Sequence, residues 1–103
     1  MLSKDEFYSY GELGYAYAVT GRRDGAIKLI ARIKTKKYPG AISYPTALIY
    51  AGLGEKDQAF RYLNNAVTFH DDFVLLLNVD PQLESLRSDP RFTDLLRRVG
   101  LAS

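Results

Sequence analysis

Cysteine is absent from this chain, and histidine occurs once, at His70. Without thiols there is no disulfide framework and no thiolate metal site, and nothing argues for an oxidising compartment. No apolar run approaches the ~18 residues a membrane-crossing helix requires. An excess of either charge sign is missing too. The 14 basic and 12 acidic side chains leave a formal charge of +2, too balanced to favour nucleic acid or an anionic membrane. The opening residues, Met-Leu-Ser-Lys-Asp-Glu-Phe, show no basic segment followed by an apolar one, so a signal peptide is not expected. A cytoplasmic soluble protein is the expectation.

What is present is ordinary globular composition, 47% hydrophobic and 25% charged over 103 residues, enough for one domain. The chain also carries an internal repeat. Residues 17–26 read Tyr-Ala-Val-Thr-Gly-Arg-Arg-Asp-Gly-Ala, and residues 50–59 read Tyr-Ala-Gly-Leu-Gly-Glu-Lys-Asp-Gln-Ala. At an offset of 33, Tyr17, Ala18, Gly21, Asp24 and Ala26 recur as Tyr50, Ala51, Gly54, Asp57 and Ala59. Repetition at one fixed offset marks a stacked supersecondary unit.

Each shared residue has a physical task. Gly21 and Gly54 follow an apolar stretch, where a helix commonly ends on a residue free to take positive φ. Asp24 and Asp57 suit a helix N-terminus, as cap or as favourable charge. Ala26 and Ala59 let a second helix approach, and Tyr17 and Tyr50 fill the space between. The unit is a helical hairpin. Apolar spacing predicts helices over about 3–20, 23–36, 41–53 and 56–70. Pro39-Gly40 reads as the break between hairpins, and Pro45 as a first-turn residue of a third helix that starts nearer Ser43.

These residues resemble the tetratricopeptide repeat. Its pattern of a small residue, a tyrosine three places on and an alanine nine further fits Gly14, Tyr17 and Ala26, and again Ala47, Tyr50 and Ala59. The chain departs from the family in its period, one residue short of the usual 34, in Ser43 at the bulky anchor that Tyr10 supplies in the first unit, and in its closing proline. Pro39 stands one place late and Asp71 fills the second. The resemblance spans about residues 5–71. It implies an all-α fold of antiparallel helical hairpins in a right-handed superhelix, with repeat one at about 5–38, repeat two at about 40–71 and a C-terminal cap at about 72–100, all one domain over 1–103. The tail, with Val79-Asp80-Pro81 and Leu86-Arg87-Ser88-Asp89-Pro90-Arg91-Phe92, is similar to the ends of repeat regions in bacterial signalling and regulatory proteins.

Continuing the offset gives Leu83, Arg87 and Phe92 where a third repeat needs tyrosine, glycine and alanine. The tail is therefore read as a cap, because stacked hairpins need a terminal element with a polar outer side. Phe73 to Leu77 is apolar and expected to pack on the second hairpin. Asp80-Pro81 and Asp89-Pro90 each pair an N-cap with proline at the first helical position. They start a short turn carrying Leu83 and Leu86 inward, and a helix near 90–98 carrying Phe92, Leu95, Leu96 and Val99 inward and ended by Gly100.

Chemistry-bearing patterns are sparse. His70-Asp71-Asp72 reads as a helix end followed by a cap. Gly11-x-x-Gly14 lies inside a helix and reads as close packing, not a phosphate cradle. Arg32 with Lys34-Thr35-Lys36-Lys37 reads as a solvated helix end. No catalytic residue, metal ligand or cofactor site is expected, and the chain is expected not to be an enzyme. The eight tyrosines cannot all be core. The family's concave groove would gather Tyr8, Glu12, Tyr15, Tyr44 and Leu48 as the partner-binding set, with tyrosines as anchors. The expected function is a non-catalytic module binding a peptide or protein partner there, with no nucleic acid and no membrane. The alternative is self-association, a homodimer or assembly element of a larger bacterial signalling or regulatory protein, since about three repeats are usual for stability.

Overall fold

The structure, a computed structural model, describes residues 4–34, 39–69 and 72–100, with the side chains of 4–8, 34, 39–41, 72 and 73 outside that description. The described residues are helical with no strand. The elements are α1 (Lys4–Val19), α2 (Arg23–Lys34), α3 (Pro39–Gly52), α4 (Lys56–Thr68), two 3₁₀ segments at Asp72–Leu76 and Pro81–Leu86, and α5 (Pro90–Arg98).

The repeated glycines close both hairpins in the same way. Gly21 and Gly54 have φ of 84° and 78°, a left-handed conformation that costs a residue with a Cβ about 1–2 kcal/mol. Past Gly21, the Arg22 N–H donates to Tyr17 O at 2.7 Å. Past Gly54, the Glu55 N–H donates to Tyr50 O at 3.0 Å. These bonds satisfy carbonyls left open at the helix ends. In the first hairpin, Tyr17 packs with Ala26 in one apolar cluster. Its ring lies so close to Gly25 that a Cβ there would sit 3.0 Å from Tyr17 Cδ2.

α3 is the central element. Every residue from Ser43 to Ile49 is buried, because α1, α2, α4 and the second 3₁₀ segment all pack on it. α1 reaches α3 through its small residues. A Cβ on Gly11 would lie 2.8 Å from Pro45 Cα, one on Gly14 2.5 Å from Ile49 Cδ1, and one on Gly52 3.0 Å from Ala18 Cβ. The contacts advance together along both helices, so α1 and α3 run parallel.

This crossing corrects the expected start of the third helix. α3 begins at Pro39, and Pro45 lies in its interior. Pro39 suits a first helical position. Interior proline ordinarily costs a hydrogen bond and a steric clash. Here its ring fills the space opened by the missing side chain of Gly11, and Thr46 Oγ1 donates to Ile42 O at 2.7 Å nearby. Tertiary packing overrides the local preference.

The buried side chains form two clusters. The larger joins α3 and α4 to the tail, with Tyr44, Leu48, Phe60, Leu63, Leu77, Leu83, Leu86 and Phe92 among its members. The smaller has Ala26, Leu29, Ile30, Ile33 and Ile49. The tail follows the expectation in part: Val74 and Leu77 are buried but Leu75 is 63% exposed, and Leu96 and Val99 are half-buried. Asp80 Oδ1 accepts from the Gln82 N–H at 3.0 Å and Asp89 Oδ1 from the Arg91 N–H at 2.9 Å, so both Asp-Pro pairs start helical turns. Phe92 and Leu95 point inward, and Gly100 follows α5 with φ of 78°.

Candidate docking surface

The tail decides which expected groove residues reach solvent. Tyr44 and Leu48 were expected to line an open concave face, and that expectation is corrected: both are 0% exposed. The segment around Asp80–Leu86 lies across this side of α3. Tyr44 Oη donates to Asp80 Oδ2 at 2.8 Å, and that carboxylate is itself buried. The phenol therefore pins the cap to α3. Glu12 is exposed and its Oε2 accepts from Gln82 Nε2 at 3.4 Å. Tyr15 is half-buried against Gly52. The Tyr8 side chain lies outside the described residues, as do His70, Asp71 and the basic run from Lys34 to Lys37. The structure thus leaves Glu12 and Tyr15 at the surface and removes Tyr44 and Leu48 from it.

Among the described residues, no three His, Cys, Asp or Glu side chains gather as metal ligands. No helix there is long and apolar enough to cross a membrane. Asp57 and Asp89 serve structure. Arg91 pairs with both at 2.9 Å, and its guanidinium lies 4.3 Å over the Phe60 ring, a cation–π contact. Hydrogen bonds from the Arg91 side chain and backbone hold the Asp89 carboxyl below its ordinary range. The same carboxylates push the Arg91 guanidinium up. Asp57 makes a salt bridge across to α5, while the N-cap of α4 is Glu55, with no side-chain cap bond.

A different surface emerges when the two units are superposed by their offset of 33. In α3 and just past it, Ile42, Pro45, Thr46, Ile49, Gly52 and Leu53 form the side turned to the first hairpin, and all are buried or half-buried. Their counterparts in the first unit are Ser9, Glu12, Leu13, Ala16, Val19 and Thr20, and every one is exposed. At about 100° per residue these six fall on one stripe of α1, opposite the Gly11–Gly14–Ala18 stripe that meets α3. Leu13 is 43% and Val19 55% exposed, large values for apolar side chains sharing a helix face.

The grooves repeat the contrast. One of about 330 Å³ lies between α2 and the second unit, with Ile27, Ile30 and Ala31 on one wall and Tyr50 and Leu53 on the other. Arg23 of α2 reaches Glu55 across it at 3.6 Å. The corresponding wall of the first unit is a groove of about 370 Å³ lined by Tyr17, Arg22, Gly25, Lys28 and Leu29, with no helix of the described chain across it. Arg22 stands where the second unit has Glu55, so the charge is reversed. Sequence reasoning missed this surface because it compared the turns of the two units and not their helix faces. Setting Ile42, Pro45 and Ile49 beside Ser9, Glu12 and Ala16 is the signal that finds it. Comparison with protein-family models, with curated proteins and with solved structures gives no match.

Proposed function

We propose that this chain is a non-catalytic docking module of two tetratricopeptide-like hairpins, wound as a right-handed superhelix and capped at its C-terminal end. It engages another protein through the outer face of α1 and the adjoining α1–α2 groove. One observation carries the reading: six positions of the first unit, five in α1 and Thr20 just past it, are exposed, and their counterparts in the second unit are all withdrawn from solvent. A stack of hairpins presents at each end the face on which the next unit would sit. At the C-terminal end that face is covered by the tail. At the other end no described residue covers it, and it carries Leu13, Ala16 and Val19. The closing glycines, Tyr17 packed on the cluster that holds Ala26 and the parallel α1 and α3 support the superhelical arrangement. The burial of Tyr44 and Leu48 supports reading the outer face of α1, and not the concave groove, as the docking surface.

A photo-activated cross-linker placed at position 16, and a control at the exposed Ser85 of the tail, test the reading in the source cells. A protein adduct formed from position 16 and not from position 85 is the expected result. No adduct at position 16 removes the docking function from this face.

A further inference from the structure

The geometry points to a second copy of this chain as the occupant of the open end, paired through α1 about a two-fold axis at Ala16. This rests on the docking reading and goes further by naming the partner.

Three observations lead there. First, the two ends differ. At the closed end α5 turns Arg91, Asp94, Arg97 and Arg98 to solvent, so the last helix has a charged outer side, while the exposed apolar side chains of that region, Phe69, Leu75 and Val79, lie outside α5. Head-to-tail stacking on α5, which would grow into filaments, is therefore disfavoured, and an isologous contact joining two α1 faces closes on itself.

Second, the face is self-complementary. When two α1 helices cross antiparallel with Ala16 opposite its own copy, Leu13 meets Val19 of the other chain, and Val19 meets Leu13. Ala16 at the axis is small enough to let the backbones approach. Leu13 and Val19 flank it at equal distances along the helix, so each apolar side chain finds an apolar neighbour.

Third, the charges match. In that register Glu12 of one copy lies opposite Thr20, beside Arg22 of the other, and the arrangement occurs twice by symmetry. Inside the chain, the equivalent wall of the second unit takes Arg23 against Glu55. With Arg22 in place of Glu55 and Lys28 beside it, the first unit's wall calls for an acidic partner, which a second copy brings as Glu12. Opposed charges of this kind set register more than raw affinity.

Sedimentation equilibrium of the purified full chain, up to hundreds of micromolar, tests the assignment. The wild type is expected to dimerise reversibly. Ala16→Glu places two carboxylates at the axis and is expected to weaken dimerisation about a hundredfold or more, with far-UV circular dichroism retained and Tm equal to that of the dilute, monomeric wild type because Ala16 is exposed. Glu12→Lys alone and Arg22→Glu alone are each expected to be monomeric, and an equimolar mixture of the two to dimerise, since one such heterodimer restores opposite charges at both contacts. A wild-type monomer throughout the range overturns the inference, as does a wild-type dimer that Ala16→Glu leaves intact. A mixture that stays monomeric overturns the register. If the cross-linker at position 16 captures a different protein while the purified chain is monomeric, the second copy is wrong and the docking surface stands.

Discussion

Replacing Tyr44 by phenylalanine removes one oxygen from the interior and leaves the ring in place. That oxygen donates to a carboxylate that is only 4% exposed. A hydrogen bond to a charged group contributes about 1.5–3 kcal/mol net. The variant leaves no cavity, so the loss is almost wholly electrostatic. Asp80 keeps the Gln82 N–H on its other oxygen, which sets the expected cost near the middle of that range, about 2 kcal/mol. For a domain of this size such a loss lowers Tm by roughly 10 °C and removes a large part of a total stability near ~5 kcal/mol. Urea denaturation followed by circular dichroism measures it as a lower midpoint at unchanged slope. Asp80→Asn, which retains a capping oxygen, and the double variant complete a cycle, and a coupling of about 1 kcal/mol or more is expected. A cost below about 0.5 kcal/mol, within the range of ordinary surface substitutions, refutes the claim that this pair fastens the cap to α3.

Gly11→Ala is expected to destabilise by about 1–3 kcal/mol, despite the ~1 kcal/mol that alanine gains in a helix, because its Cβ meets the Pro45 backbone. Gly14→Ala is expected to cost a similar amount, since its Cβ would lie 2.5 Å from both Cδ1 and Cγ1 of Ile49, a stiff β-branched side chain buried in the smaller cluster; chemical denaturation measures both. Gly54→Ala, with open space around its Cβ, is expected to cost about 1–2 kcal/mol from backbone conformation alone, read as a lower Tm. Asp89 is depressed by Arg91, so its contribution is complete above the ordinary carboxylate range. It is lost as pH falls through the lowered folded-state value. A denaturation series in acid should therefore show a smaller loss of stability for Asp89→Asn than for the wild type, and the difference should shrink in high salt because the pair is exposed.

Local chemistry made much of this fold legible. Glycine at a left-handed position, Asp-Pro at a helix start and alanine beneath tyrosine act within a few residues, and each lies where its residue type suggests. The misreadings came from contacts between distant segments. Pro45 looks like a first-turn proline until Gly11 is found beside it. Tyr44 and Leu48 share a helix face suited to a groove, and only the return of the tail, more than thirty residues on, turns that face into core. A helix periodicity gives the side on which a residue lies and not what will cover it. The offset that disclosed the repeat also held the open α1 stripe, visible as isoleucines and proline in one unit answered by serine, alanine and glutamate in the other.

The uneven division of the core has a dynamic consequence. The second hairpin and the tail share the larger cluster, while the first hairpin draws on the smaller one and on a helix crossing built from glycine. Local opening free energies follow buried contact, so amides in α1 and α2 should exchange with solvent sooner than those in α3 and α4. A molecule that binds only the closed form of the first hairpin would slow that exchange in proportion to its occupancy. Breathing of the protein at one end would then report, without any label on the partner, whether that end is in use.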